Sequence, residues 1–333
     1  MKKILSFIIL LFVVLSCTQS TMQIQEISFQ GTAQGTYYMV KYYDVDGRNF
    51  QLEVDSILKA FDQSLSLWVP NSIISKVNRN EEVKLDEYFI DNYNLAQKVA
   101  VETGGAFDCT LGPLIEAWGF GFRQKIKLTQ EKVDSIKGFT GHDKVRIENQ
   151  HLMKADERME INFNAIAQGY SVDLLGGFLM AKGVEDFIID VGGEVLTKGL
   201  KPNQKKWVVG IQKPTDNSDG EIEAEVTVEL TDMAFVTSGS YRKYYEENGK
   251  RYSHMINPQT GYPVTHSLLS VTVLAKTCAE ADAYATAFMV MGLDKAIHFV
   301  NNRKDLEAYF IYANENGEMQ TFSTEGLEKL IRK

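Results

Sequence analysis

The sequence predicts an α+β fold, on three observations. Long amphipathic stretches carry apolar residues at helical spacing, and short runs rich in β-branched and aromatic residues sit between them. Those strand-like runs gather between Trp207 and Leu274 instead of alternating regularly with helices. No G-x-G-x-x-G fingerprint or phosphate loop occurs, so a doubly wound nucleotide-binding sheet is not indicated.

The chain opens with Met1-Lys2-Lys3 and an apolar run from Ile4 to Leu15. A bilayer span needs ~20 apolar residues, so this run reads as a secretory signal. Its end, Val14-Leu15-Ser16-Cys17, has the form of a lipobox, which makes Cys17 the expected lipidated first residue after cleavage. An ordinary signal with an incidental cysteine is the alternative. On this reading residues 1–16 are a lipoprotein signal peptide, 17–25 a lipidated tether, and 26–333 one catalytic domain.

Along that domain, Ile27–Phe29 and Thr36–Tyr43 have strand composition. Phe50, Val54, Ile57, Leu58, Phe61 and Leu65 recur at helical spacing. A second amphipathic helix is expected from about Asp86 to Thr103, closed by Gly104-Gly105. Residues 106–122, with three glycines and Pro113, read as loop. A short helix is expected after Thr129, and short strands near Val145, Leu152 and Glu160–Phe163. A helix from about Ala165 to Lys182 should stop at Gly183. Phe187–Val191 reads as a buried strand. Asn248-Gly249 signals a tight hairpin. The chain then closes with helices at Ala279–Met291 and Asp294–Asn301, a strand at Ala308–Tyr312 and a last short helix.

Charge excludes some functions. The 35 Lys and Arg, less Lys2 and Lys3, face 44 Asp and Glu, leaving a net charge of −11 after cleavage. Such a surface does not suit nucleic acid, which needs basic groups. Nor does it attract anionic lipid, so membrane contact would rest on the lipid anchor. Cys109 and Cys278 read as buried free thiols, with a disulfide between them the alternative.

Chemistry concentrates in a few segments. Asp282 and Thr286 stand four apart on a predicted helix and share a face. They offer hard oxygen ligands of the kind Mg²⁺ takes alongside substrate phosphates. An alanine-rich helix that merely packs, with Thr286 bonding back to a carbonyl, is the other reading. Gly104-Gly105-Ala106-Phe107-Asp108 and Asp190-Val191-Gly192-Gly193-Glu194 are glycine corners. They either let backbone approach a ligand or serve as a cap and a bulge. His254 ends a strand-like run before the turns Asn257-Pro258 and Thr260-Gly261. It is either a general base or a structural histidine.

Taken together, these blocks resemble the ApbE family of FAD:protein FMN transferases. Gln34-Gly35-Thr36 is similar to the family's Met-Gly-Thr, and Gly105 to Pro113 to its Gly-Ala-Phe-Asp-Pro-Thr-Val-Gly-Pro. Asn162 to Tyr170 resembles Asp-Leu-Gly-Gly-Ile-Ala-Lys-Gly-Tyr. Asp190-Val191-Gly192-Gly193, Thr237-Ser238-Gly239 and Ser253-His254-Met255-Ile256-Asn257-Pro258 follow in the family's order. The resemblance implies a single T-fold-like catalytic domain with two lobes around a flavin cleft.

It implies transfer of FMN from FAD to a threonine or serine hydroxyl of a target flavoprotein, such as a membrane redox-pump subunit, with release of AMP. Mg²⁺ would be held by Asp282, Thr286 and the carbonyl of Ala165. FAD would meet Gln34, Trp68, Ala106, Phe107, Asp108, Asn162, Gln168 and Ile256, and His254 would activate the acceptor. The protein would be lipid-anchored in a bacterial envelope, facing the periplasm. Gln168 stands where the family has lysine and Asn162 where it has aspartate, and the two are expected to form a charge-neutral pair beside the flavin. FAD hydrolysis to FMN and AMP, or FAD binding without chemistry, are the alternatives.

Overall fold

The computed structural model describes residues 24–122, 128–214, 224–240, 244–247 and 250–332. The signal segment, Cys17 and the turn Asn248-Gly249 lie outside the described residues.

Strands β1 (Gln25–Ala33) and β2 (Thr36–Asp44) form a hairpin with Ala33 opposite Thr36. The two turn residues, Gln34 and Gly35, have φ of 55° and 75°. Positive φ at both positions gives a turn whose twist matches the strands it joins. Helices α1 (Gln51–Leu65), α2 (Ile73–Asn78) and α3 (Glu87–Glu102) follow. Asp86 caps α3 by accepting the Phe89 N–H at 2.9 Å. The Gly105 N–H closes the helix on the Ala100 carbonyl at 2.7 Å.

Helix α4 (Gly112–Ala117) occupies part of the stretch expected to be loop. Pro113 sits in its first turn, where a fixed φ favours the helix, and Leu114, Ala117 and Trp118 are buried beneath it. Then come α5 (Gln130–Phe139), β3 (Val145–Glu148) and β4 (His151–Lys154). The strand expected at Glu160–Phe163 is reduced to one bridge between Leu111 and Glu160. The Asn162 N–H goes to the Cys109 carbonyl at 2.8 Å and is not available to a ladder.

Helix α6 (Ala167–Ala181) ends as expected, with Gly183 at φ 82° just beyond it. Strands β5 (Phe187–Val191), β6 (Glu194–Lys198), β7 (Trp207–Gln212), β8 (Ala224–Leu230), β9 (Met233–Gly239), β10 (Tyr244–Glu247), β11 (Lys250–Ser253) and β12 (Leu268–Ala275) follow. Strands β10 and β11 pair antiparallel on either side of Asn248-Gly249. The chain closes with α7 (Cys278–Met291), α8 (Leu293–Asn301), β13 (Glu307–Ala313), β14 (Met319–Ser323) and α9 (Glu325–Glu328).

Eight strands make one antiparallel sheet in the order β1-β2-β5-β6-β9-β12-β13-β14. Its two faces bury different partners, as strand alternation requires. Ala234, Val236, Val271, Val273, Ala308 and Phe310 face the helices in the main core. Phe235, Leu274, Tyr309 and Ile311 point the other way, into a smaller core with Val228 and Leu230 of β8 and Leu327 of α9. The α+β class holds.

Helix α7 is largely buried because it lies between the sheet and the other helices. Its five alanines, from Ala279 to Ala287, are all buried. Cys109 and Cys278 are free and buried, as expected. Phe310 is fully buried, with its ring centroid 6.1 Å from Phe288 and 6.0 Å from Phe322. Phe310→Ala is expected to cost about 3–5 kcal/mol in urea unfolding, and a loss below 1 kcal/mol would show that the core closes over the gap.

Candidate active site

A cavity of about 320 Å³ opens between the 106–120 segment, the loop before α6, the ends of β6 and β9, the 254–256 segment and α7. Asp282, Thr286 and Val290 reach it from α7, at intervals of four that place them on one stripe. Ala165 and Asn162 line it from the loop before α6, and His254 and Ile256 from beyond β11. Ala106, Phe107 and Asp108 complete that wall.

The metal-ligand candidates are held from behind. Asp282 is 5% exposed, and its carboxylate accepts the Gly169 N–H of α6 at 3.3 Å. Burial pushes its pKa well above the usual carboxylate range, and the neighbouring Asp173 pushes it the same way. Asp173 is itself raised to about 7 by burial, while N–H groups of Ala279 and Cys278 work against the rise. Two residues along α7 from Asp282, Tyr284 donates its hydroxyl hydrogen to Glu102. Arg303 donates to the same carboxylate at 2.6 Å, which fixes the rotation of α7 from its far side.

Asp108 is a pin for the glycine corner. Its carboxylate accepts the Thr110 N–H and hydroxyl, both at 2.7 Å, and the His142 N–H at 3.0 Å. Burial raises its pKa, while these bonds oppose the rise. The glycines before it, Gly104 and Gly105, take φ of 61° and 79°, which a side chain resists.

His254 is half-buried, and Phe120 presents its ring at 6.4 Å between centroids, edge to face. The turn after it is stiff. Asn257 Oδ1 accepts the Gln259 and Thr260 N–H groups at 2.8 and 3.2 Å, an Asx turn. Trp118 Nε1 donates to the Gly261 carbonyl at 2.8 Å, tying this turn to α4.

Three expected flavin contacts lie elsewhere. Gln34 is in the β1–β2 turn, off the cavity wall, with its buried Nε2 lacking a partner. Trp68 is 66% exposed and packs edge to face on Phe122 at 4.9 Å. Gln168 is also off the wall, because its amide is engaged behind it. Nε2 donates to the Val191 carbonyl at 2.7 Å and to Glu194 at 2.5 Å.

The expected pair between Gln168 and Asn162 is therefore not formed. Asn162 Oδ1 instead accepts the Asn164 N–H at 2.9 Å. Gly192 leaves the room Gln168 needs, since a Cβ there would strike its amide. Glu194, Asn164, Thr237, Ser238 and Phe120 line the cavity and were given no role from sequence. Thr237-Ser238-Gly239 had a signal, as one of the matched blocks, and Glu194 followed a glycine corner. Nothing local pointed to Asn164.

The electrostatics are one-sided. Asp108, Glu194 and Asp282 line the cavity, and among the described residues no lysine or arginine does. Among the described residues no cluster of three or more His, Cys, Asp or Glu side chains is arranged to hold a metal alone. A buried carboxylate with one hydroxyl a turn away fits a hard cation that takes its remaining ligands from phosphate and water.

A profile of the ApbE family matches residues 34–310. The chain is 34% identical over 346 aligned positions to a Haemophilus influenzae protein named FAD:protein FMN transferase, covering 99% of each. It is 33% identical to the protein of that name from Escherichia coli K12, over 85% of this chain and 83% of that one. Among solved structures it resembles the flavin transferase ApbE from Vibrio cholerae, with a TM-score of 0.82 and 29% identity. That match covers 92% of this chain and all of the other. The apo flavinyl transferase ApbE of Pseudomonas stutzeri gives a TM-score of 0.83 at 32% identity, covering 92% of this chain and 97% of that one.

The geometry at Gln168 sets an expected outcome. Gln168→Lys should couple to Glu194→Gln by about 0.5–3 kcal/mol in a double-mutant cycle read by urea unfolding, as contacting residues do. Gln168→Lys and Asn162→Asp should be additive. Coupling to Asn162 with additivity at Glu194 would reverse the assignment.

Proposed function

The chain belongs to the ApbE family, and from that membership we infer that it is an FAD:protein FMN transferase, moving FMN from FAD onto an acceptor protein. The acceptor group is a threonine or serine hydroxyl and the leaving group is AMP. The observation that carries this chemistry is a cavity wall that brings Asp282 and Thr286 together with His254. A pyrophosphate brings negative charge into a site that already holds three carboxylates.

The reading therefore includes Mg²⁺, held by Asp282, Thr286 and the Ala165 carbonyl. Bound there, it neutralises and orients the phosphates as charge shifts during transfer. The protein's own groups do the rest. The acceptor oxygen attacks the phosphorus on the FMN side of FAD. The bond between that phosphorus and the bridging oxygen breaks, and AMP leaves with the bond's electrons. The acceptor's proton passes to His254, whose imidazole suits that role near neutral pH. FMN ends as a phosphodiester on the acceptor. Phe107 and Ile256, buried at 2% and 3% exposure, give the cavity an apolar side for a flavin ring. Asn162 and the 106–108 backbone offer polar contacts along it.

The enzyme is also proposed to be held to an envelope membrane by lipid on Cys17. The support is the basic start, the short apolar run and the lipobox. Among the described residues no helix is long and apolar enough to cross a membrane. Cys17→Ser should give a soluble or unprocessed form on membrane fractionation. A variant still cut before residue 17 and wholly membrane-bound would refute lipidation.

Purified protein, FAD, Mg²⁺ and a candidate flavoprotein domain should yield a fluorescent acceptor band on a denaturing gel. Asp282→Ala should abolish the band. His254→Ala should lower the rate by ~10²–10⁴-fold while FAD affinity changes little. Free FMN and AMP without a band would point to hydrolysis. Equal losses of rate and FAD affinity in His254→Ala would make that histidine a cofactor contact.

A further inference from the structure

Helices α6 and α7 begin side by side, and each supplies a carboxylate to the other's first turn. Asp282 of α7 accepts the Gly169 N–H of α6 at 3.3 Å. Asp173 of α6 accepts the Cys278 and Ala279 N–H groups of α7 at 2.8 and 2.9 Å. The Glu280 N–H goes to the capping hydroxyl of Thr277 at 3.3 Å. The first three N–H groups of α7 are thus all satisfied, two of them by one side chain from another helix. The approach is close because Gly169 has no side chain: a Cβ there would run into the Cys278 carbonyl.

We propose that Asp173 is a positioning residue for the cation site, holding α7 at the axial place that presents Asp282 and Thr286 to the cavity. Its two oxygens fix the start of the helix, and the candidate ligands lie one and two turns further along the same rod. Asp173 also places a second carboxyl group close to Asp282. Partners that orient metal ligands are worth ~10–100-fold in affinity. Neither Asp173 nor its bonds touch the cavity itself. The inference rests on the assignment of a divalent cation to Asp282 and Thr286.

Asp173→Asn is isosteric but can accept only one of the two N–H groups and loses the charge. The test measures Mn²⁺ affinity by the electron paramagnetic resonance of free Mn²⁺, FAD affinity without metal by fluorescence, and thermal unfolding. The expected result is Mn²⁺ binding ~10–100-fold weaker, with metal-free FAD affinity within about twofold of wild type. A lower melting temperature with wild-type Mn²⁺ affinity would overturn the proposal and leave Asp173 a helix cap only. If Asp173→Asn does not fold, Asp173→Glu carries the test. It keeps the charge and moves it by one methylene, so it should weaken Mn²⁺ binding, and unchanged binding would overturn positioning. Absence of Mn²⁺ binding in the wild-type protein would overturn the cation assignment itself, which that arm reads separately.

Discussion

The site depends on the close crossing at the starts of α6 and α7, which requires a glycine at position 169. Helix starts carry unsatisfied N–H groups and partial positive charge. Two such starts brought together would leave donors unpaired and like partial charges adjacent. Asp173 and Asp282 resolve both problems at once, each entering the other helix's first turn. The cost is two carboxylates with raised pKa in one buried place. A protein needing only a packed core would be served better by apolar residues there. The arrangement makes sense where a cation offsets the charge.

The same imbalance governs the cavity. Among the described residues its wall has three carboxylates and neither lysine nor arginine. Where relatives are expected to carry lysine, this chain has Gln168, and its amide points backward to Val191 and Glu194. Glu194 therefore keeps its place on the wall through a neutral partner. On the proposed reading a metal supplies cationic charge to the phosphates.

Local signals in the sequence carried most of the elements. Gly104 and Gly183 marked helix ends by capping chemistry, and the 3.6-residue spacing of Phe50 to Leu65 marked α1. Asp282 and Thr286 shared a stripe because helical periodicity fixes that, whatever the fold. The failures have a common cause. Helix α4 was hidden because the three glycines and Pro113 of that stretch read as loop, while burial of Leu114 and Trp118 decided otherwise. The partner of Gln168 was misjudged because Asn162 is near in sequence, whereas Glu194 arrives through β6. Asp173 gave no signal at all, since its role exists only once α7 lies against α6.

The two chemical sides of the cavity come from opposite constraints. The α7 side is rigid through helix packing, with Tyr284 and Arg303 clamping its far face. The His254 side belongs to a turn, and turns are held by whatever bonds reach them. Trp118 Nε1 reaches Gly261 across 143 residues, and the Asx turn at Asn257 stiffens the rest. In the proposed reaction an acceptor hydroxyl meets a phosphorus held on the first side and a base held on the second. Trp118 at the end of α4 holds the turn, and Phe120 just beyond it packs against His254. On that reading the glycine-rich block from Gly104 to Gly121 does more than approach a ligand: it ties the turn that carries the base to the cavity wall.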